Sequence, residues 1–352
     1  SSTQLSGLSA SQVGALTTAA VAALTTTLVK ALTASQFKGL TSAAVAGLTT
    51  AQAPVLTTDQ LAVMTKAQVG ALTTAQVATL TSTQAKSISA LNLAALTTAQ
   101  TQALSTTAVN ALDAKQVAAL STDQVAALGT SQVNALSSAG VQALTGTQVA
   151  ALTTAQVRNL TTAQLDAMSV GQLAQFTTDQ MGALSTAQVA SLSTADVTSF
   201  TPTKLASLNN SSLAALTTAQ VSAMQTEDLV KLNASQVGAL TARSVAAFTT
   251  SQVSALTTAQ IDKLSTAQVR SLSTAQVSAL TTAQATKLTT EQLGALTSAQ
   301  VAGFDTVDLA TLTTTQLRGI SSSAVGGLST AQIASLGGLG TDQVSGLTVA
   351  QV

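Results

Sequence analysis

Large apolar residues recur along this chain at an interval that no single continuous element would produce. Every eighth residue from Leu8 to Leu336 is Leu, Ile, Met or Phe, as at Leu96, Met168, Phe248 and Ile320. Three residues earlier, at the fifth position of each octad, stands most often Val or Leu; Ala53, Ala85, Thr101 and Ala285 are exceptions. The first position is Ser, Thr, Asp or Asn except at Gly129 and Gln225, and the fourth is mostly Gln, as at Gln76, Gln156 and Gln268. A helix repeats about every 3.6 residues and a strand every two, so an eight-residue period belongs to a unit that starts afresh each time.

The consensus L-[T/S]-T-A-Q-V-A-A explains the restart. Ser or Thr at position 1 with Gln at position 4 forms the S/T-x-x-Q capping box, which satisfies two of the amides left free at a helix start. The preceding Leu and the Val at position 5 are placed as the hydrophobic staple that fixes how the chain enters the helix. In residues 184–192, Ser185 and Gln188 close the box while Leu184 and Val189 form the staple. The spacing therefore predicts one short capped helix per octad. Charge placement agrees. Eleven of the thirteen acids fall at positions 1 to 4 (counting Asp342 in the frame that restarts after Leu339), and nine of the thirteen bases fall at positions 6 or 7. Acids early and bases late complement the helix dipole, and one long helix gives no reason for that order to reset. Pro202 follows Thr201 at the first helical position, where proline is tolerated, whereas Pro54 at position 6 is expected to distort its helix.

A continuous coiled coil needs apolar spacing near 3.5 residues, and octads would make its stripe drift around the helix. In a β-solenoid, positions 5 and 8 would point to opposite faces, because their separation is odd. As helical neighbours three apart they share a face. Helices this short are marginal alone, so that face must bury against other octads. The expected fold is all-α: an α-solenoid, a superhelical rod of short capped helices spanning residues 1–336. Two octads per coil is the simplest closure, although no sixteen-residue superperiod marks it. Ala and Gly at positions 6 and 7 leave room for helices to approach. The register breaks once, in "LGGLGTDQV", where Gly337, Gly338 and Leu339 add three residues and shift Leu347 out of frame. Residues 337–352 read as a register-shifted, Gly-containing continuation of the array.

Composition narrows the chemistry. Of the 352 residues, 7% are charged against roughly 25% in an average domain, so Ser, Thr, Gln and Ala must cover the surface. Basic and acidic residues balance at 13 each without forming runs, which argues against nucleic acid and leaves no self-repulsion between copies. No apolar run approaches the 18 or so residues of a membrane span. The chain opens "SSTQLSGL" without Met or a signal pattern, and reads as a processed chain or an excerpt of a longer array. Without His or Cys there is no Ser-His-Asp triad, thiol nucleophile or ordinary zinc site. Two carboxylate pairs stand out, Glu227 with Asp228 and Asp305 with Asp308. The first reads as charge at a helix start and the second as an N-cap with its N3 partner, rather than as catalytic or calcium-binding groups. No phosphate loop appears, and "GGLGTDQ" lacks the required Lys. No catalytic, cofactor-binding or metal-binding residue is therefore expected, and no enzymatic activity or small-molecule ligand.

The octads resemble the "LTTAQVAAL" arrays of very large, repetitive bacterial surface and secreted proteins, including adhesin-like ones. That resemblance covers residues 1–336 nearly completely, and it implies an extracellular or cell-surface location and a fibrous or adhesive role. "LTTAQVAAL" also resembles the opening helix of the DNA-reading repeats of plant-pathogen effectors. Their 34-residue period, paired base-reading residues and basic charge are missing here, and the DNA-binding role is rejected. The expectation is a non-enzymatic structural protein that associates with itself, laterally or end to end, into a filament or surface fibre. The alternative is the stalk or binding module of a bacterial adhesin. Ice binding by Thr ladders is disfavoured because the first-position Thr is already occupied in capping.

Overall fold

The computed structural model describes residues 2–336 and 338–344. Each octad up to residue 336 holds one short helix, α-helical and four to six residues long in every octad but one. Among the described residues there is no strand. Thr154–Asn159 and Thr162–Ala167 show the joint between neighbouring octads. The amide of Leu160 still donates to the Val157 carbonyl at 3.1 Å, but its own backbone is extended (φ −58°, ψ 135°). Thr161 is extended too (φ −70°, ψ 155°), and its hydroxyl accepts from the Gln164 amide at 3.1 Å. The helix stops without glycine or proline because the next cap offers the backbone a competing set of bonds. Two extended residues then turn the chain before the next helix begins.

The chain forms two compact units, Ser1–Ala183 and Leu184–Val352. In the first, Ala10–Gly14 packs on Ala34–Gly39, and Thr74–Ala78 on Thr98–Ala103, each partner lying three octads further on. In the second, Ala242–Ala246 packs on Thr266–Ser271 and Thr290–Gly294 on Thr314–Gly319, again three octads apart. Side-chain hydrogen bonds add a second set of neighbours four octads apart, from Gln76 to Val45 and Leu48 in the first unit and from Gln252 to Val221 and Met224 in the second. Each unit is thus an α-solenoid in which a coil takes between three and four octads, not the two that simple closure suggests. The reason lies at the joint: two extended residues make a corner rather than a reversal, so each helix turns by only a quarter to a third of a full circle.

Positions 5 and 8 form the core as expected; Val77, Leu120, Val253 and Leu296 are all buried. Position 4 is buried as well, which the apolar pattern alone does not foretell. Small residues at position 7 serve close approach. A Cβ on Gly39 would stand 2.3 Å from the Ala10 carbonyl oxygen, and one on Gly47 would stand 2.3 Å from Thr18 Cγ2, so neither site admits even alanine without movement.

Both prolines behave as their positions dictate. Pro202 opens the helix Pro202–Leu205 behind the cap Thr201. Pro54 converts its octad to a 3₁₀ turn, Ala53–Val55, the single departure from α-helix among these octads. That octad keeps its place nonetheless, because Gln52 still bonds Thr49 at one end and the Val21 and Leu24 carbonyls at the other. In the C-terminal segment, Gly338 has φ +145°, a conformation that favours glycine, and Thr341–Val344 forms a short helix. Gly337 and residues 345–352, including the shifted Leu347, lie outside the described residues. No helix among the described residues is long and apolar enough to cross a membrane.

Candidate functional site

The chemistry of the chain is concentrated in one repeated group, the fourth-position glutamine. Gln76 is 1% exposed and uses both ends of its amide. Its Oε1 accepts from the Thr73 backbone N–H at 2.6 Å, while its own backbone N–H donates to Thr73 Oγ1 at 3.1 Å; this is the capping box. Its Nε2 then donates to the carbonyls of Val45 (3.1 Å), Ala46 (3.1 Å) and Leu48 (2.6 Å). Those carbonyls close the helix Ser42–Ala46 four octads earlier, where a helix end leaves acceptors to spare. One side chain therefore caps the start of its own helix and the end of another. Gln60, Gln148 and Gln180 repeat the arrangement in the first unit, and Gln220, Gln252 and Gln284 in the second.

The capping half of this role is legible in the sequence; the half that joins coils is not read there. A signal for it exists. A capping box accepts Glu as readily as Gln, yet no octad up to residue 336 has Glu at position 4; both glutamates, Glu227 and Glu291, stand at position 3. A carboxylate closes the box but has no N–H to send back to the earlier helix. Other occupants that reach back are also donors. Asn92 Nδ2 bonds the Met64 carbonyl at 2.6 Å, and Ser212 Oγ bonds that of Leu184 at 2.9 Å.

The two carboxylate pairs do not converge into sites. Glu227 is exposed while Asp228 is buried, accepting from the Gln225 amide at 2.8 Å. Asp305 is the exposed N-cap of Thr306–Thr311 and accepts from the Asp308 amide at 2.6 Å, as the N-cap reading requires. Burial pushes the Asp228 carboxyl above the usual carboxylate range; the Gln225 amide lowers it and Glu227 raises it further. Burial likewise raises Asp308, with the Thr282 hydroxyl opposing and the Asp305 charge adding. Among the described residues no three acidic, His or Cys side chains gather as a metal site would need.

The outer positions carry mainly hydroxyls and methyls. Among the described residues one ion pair forms, Lys263 with Asp262 at 3.0 Å, and both partners are exposed enough that it contributes little. Exposed large apolar residues, Leu91, Val170, Val230 and Val307, are scattered singly.

A family model described as the ALTTAQ repeat matches residues 93–130, 125–162, 147–178, 157–194, 221–258, 255–290 and 301–338, together more than half of the chain. Among the stretches left unmatched, 195–220 holds octads whose fourth residue is Asp196, Lys204 or Ser212, while 1–92 and 291–300 mostly keep Gln there. No curated protein matches the chain. The matched stretches, in each of which a Thr–Gln cap recurs, place this chain in the ALTTAQ-repeat family.

Proposed function

We propose that this repeat protein is a non-enzymatic structural element, a filament or surface fibre at or outside the cell surface, built by copies of the chain associating with one another. The observation that carries this reading is where the polar chemistry is spent. The amide side chains are turned inward to join coils, as at Gln76 and Gln252, and the outer positions repeat small hydroxyl and methyl groups in nearly every octad. A surface so uniform offers the same contact at each step, and its zero net charge gives copies no reason to repel. Electron microscopy of the full chain across a dilution series tests the proposal. Ordered fibres with a fixed axial repeat are expected; separate particles at every concentration would rule out self-assembly.

The stalk or binding module of an adhesin is the second reading. In its favour, residues off the consensus reach the outer positions between residues 201 and 231 at Pro202, Lys204, Gln225 and Glu227. A solenoid that recognises a partner diversifies consecutive repeats in this way.

A further inference from the structure

Where a fourth-position side chain reaches the helix four octads back, it does so with a hydrogen-bond donor: Nε2 of Gln284 to the Leu256 carbonyl at 2.6 Å, Nδ2 of Asn92 to that of Met64 at 2.6 Å, Oγ of Ser212 to that of Leu184 at 2.9 Å. In each case the acceptor lies 28 residues earlier. Asp308 stands in the same register after Leu280, is 2% exposed, and has no donor when ionised. Its Oδ1 is, among the described residues, the one buried side-chain oxygen or nitrogen without a hydrogen-bond partner. Asp196 and Asp228 spend an oxygen on the amide that opens their own octad, but the octad of Asp308 closes no such box. Asn92 closes none either, and it is the neutral isostere of a protonated aspartate.

We propose that Asp308 is a proton-operated latch between coils: as a neutral carboxylic acid it donates to the Leu280 carbonyl, as the Asn92 amide does to Met64, and as a carboxylate it leaves that junction unmade. The surroundings favour the neutral form. The helices packed against its own, Thr282–Ala285 and Thr330–Ala334, contain no ionisable residue, nor does Thr274–Ser278 four octads back. Lys287, beyond the first of these, is exposed, and Arg318 lies in the last turn of the following octad's helix. The Asp305 carboxylate, on the same octad, adds repulsion; burial adds more, and the Thr282 hydroxyl offsets part of it. Because the folded carboxyl is raised above the ordinary 3.8, its contribution to stability is complete below that value and is lost as pH rises through the higher folded one.

Thermal melts of the full chain test the latch. Asp308→Asn supplies the donor at every pH. It should melt about 2–4 °C above the natural chain near pH 7, the shift expected for about one gained hydrogen bond, and level with it near pH 3. Asn92→Asp should create the same dependence at a second junction, weaker than the natural chain near neutrality and restored by acid. A gap between Asp308→Asn and the natural chain that stays constant with pH would overturn the proposal, as would an Asn92→Asp chain that acid does not restore. So would a natural chain that calcium or potassium chloride stabilises near pH 7 while Asp308→Asn does not respond, because the carboxylate would then hold a cation rather than await a proton.

Discussion

At the scale of the residue, the solenoid is held by a side-chain amide that both accepts and donates. Gln76→Ala removes the Oε1 contact to Thr73 and the Nε2 contacts to Val45, Ala46 and Leu48 together, and leaves buried carbonyls unpaired. A loss of about 1–3 kcal/mol is expected, read from denaturant unfolding by circular dichroism. Gln76→Glu separates the two roles, since it keeps an oxygen for Thr73 and turns the donor into an acceptor. It should destabilise the chain more than alanine does near neutrality and recover on acidification, because a carboxyl buried against carbonyls binds its proton more tightly folded than unfolded. Equal effects of the two variants at every pH would mean that the reach to the earlier helix contributes nothing. The capping role is visible in sequence because its partners are three residues apart. The second role joins residues about thirty apart, and only the absence of Glu from position 4 hints at it.

At the scale of the element, the octad is legible almost entirely. Start, stop, core face and charge order depend on residues within eight of one another, so local signals such as Ser185 with Gln188, or Pro202 behind Thr201, fix each helix without reference to the fold. The octad of Pro54 is the informative exception, because one residue replaces an α-turn by Ala53–Val55 in 3₁₀ form while Gln52 holds the register. Pro54→Ala restores an amide at position 6 and should return residues 50–55 to α-helix. The expected gain is roughly 2 kcal/mol: about 3 for removing proline from a helix interior, less up to about 1 for the freer unfolded chain. Hydrogen exchange would report it as protection of the new residue 54 amide; the Val55 amide already donates to the Gln52 carbonyl at 3.2 Å. Exchange as fast as at the exposed caps would show that the 3₁₀ form is imposed by packing and not by the ring.

At the scale of the whole molecule, the number of octads per coil was not legible, and the cause is the regularity itself. Equivalent octads leave no superperiod to mark which ones meet, and the answer is set by backbone angles at joints such as Leu160–Thr161. The contacts at three octads and the amide bonds at four decide it within each unit, in the way that residues three and four apart are neighbours on a single α-helix. That closure supports the structural role proposed above, since the glutamine that would otherwise face solvent is consumed in joining coils. Across the register break after Leu336, the helix Thr341–Val344 still packs on Ser322–Val325; beyond residue 344 the continuation of the array rests on the sequence pattern.

The closure can be measured directly in a chain that has no cysteine of its own. A Cβ on Gly70 would lie 4.0 Å from that of Ala95, within the range a disulfide spans. Gly70→Cys with Ala95→Cys should therefore oxidise readily to an internal cross-link, seen as a mobility shift lost on reduction. Gly70→Cys with Ser87→Cys, the pair that two octads per coil would bring together, should remain reduced. A cross-link in the second pair and none in the first would contradict the three-to-four-octad coil and the glutamine joints that depend on it.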